Sequence, residues 1–253
     1  CISFQLLGHY SGCLPDVNGD GILTIACLGD SNTAGPLSAK APLPWCFQLT
    51  RAAANVRFVN VASPGAGATK GLPYPSYAVP ADQQLAAALA GGADHAVFAF
   101  ITNDLAFGAT APQTATSLLR LAYRFEQSRV GVRRTRGRIG LVLGGPLMQL
   151  ALPTLLCGTS TEGRITRNAA IEQVNVRLAR NLRNHRFVPH PPLDENADFA
   201  DCLHMNTVGQ TKRAEAVGAA LTSFGVVPGR TGTATSTRQK LPPLPHIRID
   251  RHL

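Results

Sequence analysis

The sequence is poor in acidic and aromatic residues. Asp and Glu number 15 against 24 Lys and Arg, which gives a formal net charge of +9. Aromatic residues make up 6% of the 253 residues. A balance this basic favours anionic partners but indicates no fold. We find no internal repeat, and a hydrophobic content of 45% excludes wholesale disorder and a fibrous protein.

Long hydrophobic runs are also scarce, and one uncharged segment, residues 139–161, is long enough to span a membrane. It contains Pro146, Pro153 and a Gly-Gly pair. These residues favour a buried strand followed by a Pro-rich apolar loop over a spanning helix. We therefore expect a soluble protein. The sequence begins at Cys1 and carries no recognisable signal peptide.

Six cysteines are more than a reduced cytosolic domain usually contains. They occupy positions 1, 13, 27, 46, 157 and 202. The even count predicts disulfides and an exported protein, secreted or periplasmic. Cys1–Cys13 and Cys157–Cys202 are plausible bridges. Cys27 falls in a predicted buried strand and is expected to be a free thiol.

Short apolar runs alternate with amphipathic stretches after residue 21. The runs predict five strands, at Ile22–Leu28, Arg57–Val61, Ala96–Ile101, Ile139–Leu143 and Arg186–Val188. Helical spacing covers Pro44–Ala54, Ala81–Ala90, Gln113–Gln127, Ile165–Asn184 and Thr207–Phe224. This alternation predicts an α/β fold with a parallel sheet covered on both faces. Functional residues are expected in the loops that follow the strands.

The two ends of the chain differ from this pattern. We expect an N-terminal segment over residues 1–21, the α/β domain over 22–228, and a basic Pro-rich tail over 229–253 without its own core. A cluster of arginines before the fourth strand indicates a solvated basic turn. No aromatic side chains interleave with it to stack bases, so we expect no nucleic-acid partner. The cluster consists of Arg129, Arg133, Arg134, Arg136 and Arg138.

Polar residues with catalytic potential follow the predicted strands. Ser31 lies at a strand-to-helix turn, where its hydroxyl can project beside free backbone N–H groups. The Asn103 amide can stabilise a developing oxyanion, and glycines such as Gly65 let a backbone N–H approach a ligand. Asp201 can hold the His204 imidazole through Nδ1, which leaves Nε2 facing the site. Each of these residues also suits an ordinary cap, turn or local hydrogen bond.

Taken together, the segments supply every part of a serine-hydrolase site and resemble the SGNH (GDSL-type) serine esterase/lipase family. The matching segments are Gly29-Asp30-Ser31, residues 60–65, Asn103-Asp104 and Asp201-x-x-His204, in the family's order across about residues 22–224. The resemblance implies a flavodoxin-like three-layer α/β/α sandwich with a five-stranded parallel sheet. It also implies a carboxylic-ester hydrolase that requires no cofactor.

The resemblance further implies a role for each residue. Ser31 would be the nucleophile, His204 the base and Asp201 its partner. The N–H groups of Ser31 and Gly65 and the Asn103 side chain would form the oxyanion hole. The family usually has Gly two residues before this Asn, where the chain has Ile101. A larger side chain there could crowd the strand end or shape the acyl pocket.

The expected substrate is a small-molecule ester with a short to medium acyl chain. Apolar loops at residues 72–77 and 147–156 are expected to flank the site and suit such chains. A carbohydrate O-acetyl esterase is the alternative, although a single tryptophan, Trp45, provides no extended aromatic platform for a sugar. The sequence leaves the natural ester and the oligomeric state open.

A hypothesis of a different class comes from the segment before the first strand. Asp16-x-Asn18-x-Asp20-Gly21 matches the first half of a calcium loop, such as those in calcium-binding docking modules. The twelfth position, normally a carboxylate, is Cys27. A plain turn is therefore favoured over a calcium site, which would be either structural or part of a calcium-binding extracellular docking or binding module.

Overall fold

The computed structural model describes residue 14 and residues 16–35, 43–49, 56–130, 133–134, 137–150, 159–182, 186–194 and 197–224. The predicted Cys1–Cys13 bridge, most of the N-terminal segment and the basic tail lie outside these residues and stay predictions. The domain boundaries likewise stay predictions.

Five strands form one parallel sheet in the order β2-β1-β3-β6-β7. They are β1 (Leu23–Gly29), β2 (Val56–Asn60), β3 (His95–Ala99), β6 (Gly140–Leu143) and β7 (Phe187–Val188). A separate antiparallel hairpin pairs β4 (Arg129–Val130) with β5 (Arg133–Arg134). The parallel five-stranded α/β fold predicted from the sequence is confirmed.

Seven helices accompany these strands in the described part of the chain. They are α1 (Ser31–Ala34), α2 (Trp45–Leu49), α3 (Ala81–Ala90), α4 (Thr102–Ala106), α5 (Ala111–Glu126), α6 (Thr161–Asn181) and α7 (Thr207–Ser223). The four longest correspond to predicted helices. The very short α1 and α4 have no periodic pattern that could predict them, because each makes little more than one turn.

Alternating side chains of β1 enter two separate cores, which explains the three layers. Ala26 and Leu28 belong to a core with residues of α3, α5 and α6. Ile25 and Cys27 belong to a second core with residues of α2 and α7. Because successive strand residues point to opposite faces, a strand that is apolar throughout must be covered by helices on both sides.

The strand order places a topological switch point beside β1. The chain runs from β1 outward to β2 and then crosses back to β3 on the other side of β1. Loops that follow β1 and β3 therefore diverge and leave a crevice at the carboxyl edge of the sheet. The candidate site lies there.

The prediction that Cys27 is a free thiol is wrong, because Cys27 forms a disulfide with Cys46 of α2, with 6.3 Å between the Cα atoms. Its side chain faces the core in which α2 packs, so burial and pairing occur together. Cys202 is also disulfide-bonded. Cys157 lies outside the described residues, so the Cys157–Cys202 bridge stays a prediction.

The arginine cluster before β6 is not wholly solvated. Arg138 is only 4% exposed. Its guanidinium lies 5.5 Å from the ring centroid of Phe125 and donates to the Ser128 hydroxyl. Burial lowers the Arg138 pKa, and the aromatic face and hydroxyl offset the loss of water around the charge. Within the described ranges, no helix has the length and hydropathy needed to cross a bilayer.

Candidate active site

Ser31 begins helix α1 directly after β1, and its two predecessors fix the turn. The Asp30 carboxylate caps the helix by accepting from the Asn32 N–H at 3.0 Å. A Cβ on Gly29 would lie 2.5 Å from the Ala99 carbonyl oxygen, so only glycine permits the close approach of β1 to β3. The short turn holds Ser31 at the edge of the sheet.

His204 lies between Ser31 and Asp201. Its Nε2 is 2.9 Å from Ser31 Oγ, and its Nδ1 is 2.7 Å from Asp201 Oδ2. An ionised carboxylate can only accept, so Nδ1 donates to Asp201, and Nε2 of the neutral ring accepts from the Ser31 hydroxyl. The structure thus brings together the three residues that the sequence singled out, in an arrangement that can activate a serine.

The Asp201 carboxylate also organises the backbone around His204. Its Oδ1 accepts from the Leu203 N–H at 2.8 Å and the His204 N–H at 2.6 Å. Although burial alone would raise the Asp201 pKa, these bonds and the one from the imidazole lower it to about 2. The hydrogen bond to Asp201, opposed in part by burial, raises the His204 pKa. The ionised carboxylate therefore stabilises the imidazolium that would form after proton transfer.

A buried carboxylate directly precedes Ser31 in the chain. Asp30 is 3% exposed, and burial raises its pKa to about 6, while the nearby Arg213 guanidinium opposes that rise. Arg213 of α7 is 1% exposed, and its guanidinium lies 6.0 Å from the ring centroid of Trp45. The cap on α1 therefore depends on a carboxylate that titrates near neutrality.

Two backbone N–H groups face no acceptor at this edge of the sheet. Those of Ser31 and Gly65 donate no hydrogen bond within the described part of the chain. Asn103 lies in the first turn of α4, which follows β3, and its side-chain amide donates to the Ala66 carbonyl at 3.0 Å. An amide nitrogen carries two hydrogens, so this bond leaves one for a ligand. These groups are suited to bind an oxyanion.

The loop that carries Gly65 is held against α4 by the carboxylate of Asp104. This buried side chain accepts from the Ala68 N–H at 3.0 Å, the Thr69 N–H at 2.6 Å and the Tyr74 hydroxyl at 2.9 Å. Burial, followed by the neighbouring Asp104 charge, raises the Tyr74 pKa, so its hydroxyl stays protonated as a donor. The bonds keep the Gly65 loop close to Asn103.

The same loop is tied to β1 by Gln84, which the sequence did not single out. Its side chain accepts from the Gly29 N–H at 2.9 Å and donates to the Gly29 and Val79 carbonyls at 3.1 and 2.9 Å. Ser63 reinforces the link, because its N–H donates to the Gly29 carbonyl at 3.1 Å and its hydroxyl accepts from the Val79 N–H at 2.9 Å. A glutamine on a helix face gives no sequence signal for this contact.

Ile101 does not line the site. It is fully buried in the core with Ile171, and a Cβ on Gly145 would lie 2.9 Å from its Cγ2. Its φ of 112° makes it the only non-glycine residue with positive φ among the described residues. The backbone at this position therefore has a conformation that favours glycine, and the Ile101 side chain cannot contact an acyl chain in this conformation.

The predicted calcium loop closes on itself through backbone hydrogen bonds. Both Asp16 carboxylate oxygens accept N–H groups, from Gly19 and Gly21, each at 2.7 Å. Asn18 Oδ1 accepts from the Asp20 N–H at 2.8 Å. The described residues contain no group of three or more His, Cys, Asp or Glu side chains that could hold a metal ion.

The sequence matches the GDSL-like lipase/acylhydrolase family over residues 27–212. No curated protein matches it. Solved structures with the same fold include a carbohydrate acetylesterase from Sinorhizobium meliloti (TM-score 0.63, 17% identity, covering 80% of this chain and 99% of that one). The aryl esterase of M. smegmatis matches with a TM-score of 0.62 and 18% sequence identity, covering 81% of this chain and 100% of that one. A putative arylesterase from Agrobacterium tumefaciens matches with a TM-score of 0.60 and 17% sequence identity, covering 80% of this chain and 100% of that one.

Proposed function

This chain belongs to the GDSL-like lipase/acylhydrolase family and is an esterase of that family, and we propose that it cleaves esters with a catalytic triad of Ser31, His204 and Asp201. The observation that carries the proposal is the position of the His204 imidazole, 2.9 Å from Ser31 Oγ and 2.7 Å from Asp201 Oδ2. These separations suit general-base catalysis.

The proposed reaction is a two-step acyl transfer. His204 takes the Ser31 proton as Oγ forms a bond to the ester carbonyl carbon, and the carbonyl electrons move to oxygen. When the tetrahedral intermediate collapses, the C–O bond to the alcohol breaks and His204 protonates the leaving oxygen. Water, deprotonated by His204, then attacks the acyl-enzyme and releases the acid and Ser31. Residues of the chain supply every group in these steps, so the proposal invokes no cofactor.

The oxyanion of each intermediate would be stabilised by the Ser31 N–H, the Gly65 N–H and the Asn103 amide. The absence of other acceptors for the two backbone groups in the described residues supports this assignment. The bonds from Asp104 to Ala68 and from Gln84 to Val79 in the Gly65 loop also support it, because preorganised donors need no reorientation as charge develops.

Short to medium acyl esters are the proposed substrates. Tyr77, 69% exposed, and Leu147, 42% exposed, lie in the loops that follow β2 and β6 at the carboxyl edge of the sheet. The Tyr77 ring approaches to 3.2 Å of where a Gly65 Cβ would lie. The Tyr77 ring therefore offers apolar surface beside one of the proposed oxyanion donors, which supports acyl chains of short to medium length.

The alternative substrate class is an acetylated carbohydrate. It is favoured by the similarity in fold to the carbohydrate acetylesterase of Sinorhizobium meliloti. It is disfavoured by the position of Trp45, which is fully buried beneath Arg213 and cannot stack on a sugar ring. We therefore place simple esters first.

Hydrolysis of p-nitrophenyl acetate, butyrate, octanoate and dodecanoate by the wild type and by Ser31→Ala tests the proposal. We expect cleavage of the shorter esters by the wild type and loss of nearly all of it in Ser31→Ala. Ser117→Ala, a substitution of the same kind in α5, should retain full activity. Equal rates for the wild type and Ser31→Ala would refute the assignment of the nucleophile. Activity only on acetylated sugars would favour the alternative class.

A structural calcium ion at Asp16, Asn18 and Asp20 is a separate proposal from the sequence. The backbone N–H groups that both Asp16 oxygens accept stabilise the turn without a cation. We therefore expect the melting temperature to be the same with a chelator and with added calcium. A lower melting temperature in the chelator would support calcium binding there.

Export to an oxidising compartment, outside the cell or in the periplasm, is also proposed. The buried Cys27–Cys46 bridge supports it, because structural disulfides rarely persist in the cytosol. Localisation of the full-length protein by cell fractionation tests this inference. Recovery only in the cytosolic fraction would contradict it.

A further inference from the structure

Asn32 joins the nucleophile turn to the loop that carries His204. It directly follows Ser31, and its side-chain amide donates to the Leu203 carbonyl at 3.2 Å. Its side-chain oxygen accepts from the Met205 N–H at 3.2 Å. These two bonds lie on either side of His204 in the chain. One carboxamide therefore constrains both the distance and the orientation of the loop relative to α1.

Asn32 is itself held firmly on the helix side. Its side chain is 2% exposed. Its backbone N–H donates to the Asp30 carboxylate at 3.0 Å, and its backbone carbonyl accepts from the Gln210 side chain at 3.0 Å. The backbone of Asn32 therefore cannot shift without disrupting the cap of α1 or its contact with α7.

Other bonds of the His204 loop lie within the loop or join it to segments other than the Ser31 turn, as the Gln149 N–H does by donating to the Cys202 carbonyl at 3.0 Å. The Ala200 N–H donates to the His204 carbonyl at 2.8 Å, and the Asp201 carboxylate accepts from two backbone N–H groups of the loop. These bonds orient the imidazole within the loop, but they do not place the loop relative to Ser31. Asn32 supplies that contact.

We propose that Asn32 is a positioning residue whose carboxamide sets the separation between His204 Nε2 and Ser31 Oγ. The proposal rests on the hydrolytic roles proposed for Ser31 and His204. Proton transfer to a general base needs a separation of about 2.6–3.2 Å, and the observed 2.9 Å lies within that range. A displacement of about 1 Å can lower a rate about 10²-fold. Because Asn32 is buried away from substrate, its loss affects kcat rather than KM.

The test compares Asn32→Leu, which removes both bonds at similar side-chain volume, with the wild type on p-nitrophenyl acetate. We expect kcat to fall about 10- to 10²-fold with KM nearly unchanged. Asn32→Ala also removes both bonds, with less side-chain bulk, and should show a similar loss of kcat. It also decides the question if Asn32→Leu does not fold.

Asn168→Leu is the matched control. The Asn168 carboxamide makes the same pair of backbone bonds, accepting from the Met148 N–H at 2.7 Å and donating to the Met148 carbonyl at 2.9 Å. The control should lower the melting temperature by a similar amount, with a much smaller loss of kcat. An equal loss of kcat in the two Leu variants would show that Asn32 is only structural and would overturn the proposal.

A second readout separates this proposal from the assigned esterase activity. The rate at which a fluorophosphonate probe labels Ser31 reports proton transfer to His204 without an ester substrate, and Asn32→Leu should slow it. Unchanged labelling and kcat in Asn32→Leu, with Ser31→Ala inactive, would refute the role of Asn32 and leave the esterase proposal standing. A wild type that neither hydrolyses esters nor reacts with the probe would refute both.

Discussion

Ile101 adopts a backbone conformation that glycine tolerates and β-branched residues avoid, so substitutions there should invert the usual order of stability. At ordinary strand or helix positions, a protein with glycine is less stable than one with alanine by about 0.5–1 kcal/mol, because glycine loses more backbone entropy on folding. At a φ of 112°, a side chain costs about 1–3 kcal/mol in strain that glycine does not incur. Ile101→Gly should therefore be more stable than Ile101→Ala by about 1 kcal/mol, the strain less the entropy.

Both variants should be less stable than the wild type, because removing a buried isoleucine side chain costs about 2–5 kcal/mol. The comparison between them cancels most of that loss and leaves the backbone effect. Urea denaturation, followed by circular dichroism, measures the difference in the free energy of unfolding. Ala96→Gly in β3, where φ is negative, provides the control and should be destabilising. If Ile101→Ala were more stable than Ile101→Gly, the inference that Ile101 is strained would be refuted.

Three further predictions concern the site and its support. Asn103→Ala should lower kcat about 10²- to 10³-fold, because it removes a proposed oxyanion donor. An unchanged kcat in steady-state kinetics would exclude Asn103 from the site. Because His204 must be neutral to act as a base and its pKa is raised above the usual 6.5, kcat/KM should rise with pH through a midpoint above 6.5. Asp201→Asn replaces the charged acceptor that raises this pKa by a neutral carboxamide, so it should move the midpoint to lower pH and lower kcat. An unmoved midpoint in the pH–rate profile would contradict the pairing. Replacing both Cys27 and Cys46 by alanine removes a bridge between residues 19 positions apart in the chain. The free energy of unfolding, measured in urea, should fall by about 3 kcal/mol. A fall below about 1 kcal/mol would show that the bridge does not constrain the unfolded chain.

The sheet and the main helices could be predicted because their pattern is local. Strand β1 is a continuous apolar run, and such a run bounded by turn residues predicts a strand buried on both faces. Helix α5 is predicted from its periodic apolar residues, although it begins two residues earlier than predicted, after a capping box between Thr110 and Gln113. The positions of Ser31 and Asn103 follow from this pattern, because parallel strands place their following loops at one edge.

What could not be predicted depends on partners that are distant in the chain. Cys27 fits a buried strand whether or not it is paired, and only the packing of α2 brings Cys46 beside it. Asn32 and Gln84 are common residue types whose roles arise from backbone groups of other segments, in the case of Asn32 more than 170 residues away. The burial of Arg138 depends on the ring of Phe125, which a charge pattern does not reveal.

The long separation between Ser31 and His204, 173 residues, has a consequence for synthesis. A ribosome extends a chain at about 5–20 residues per second, so Ser31 emerges well before the segment that can deprotonate it. Until α7 and the preceding loop dock, the Ser31 hydroxyl lacks the proposed base and, on the proposed mechanism, stays an ordinary alcohol that does not attack esters of the cell in which it is made. Esterase activity during refolding therefore marks the completion of the last long-range contact, and it should recover later than the helical signal.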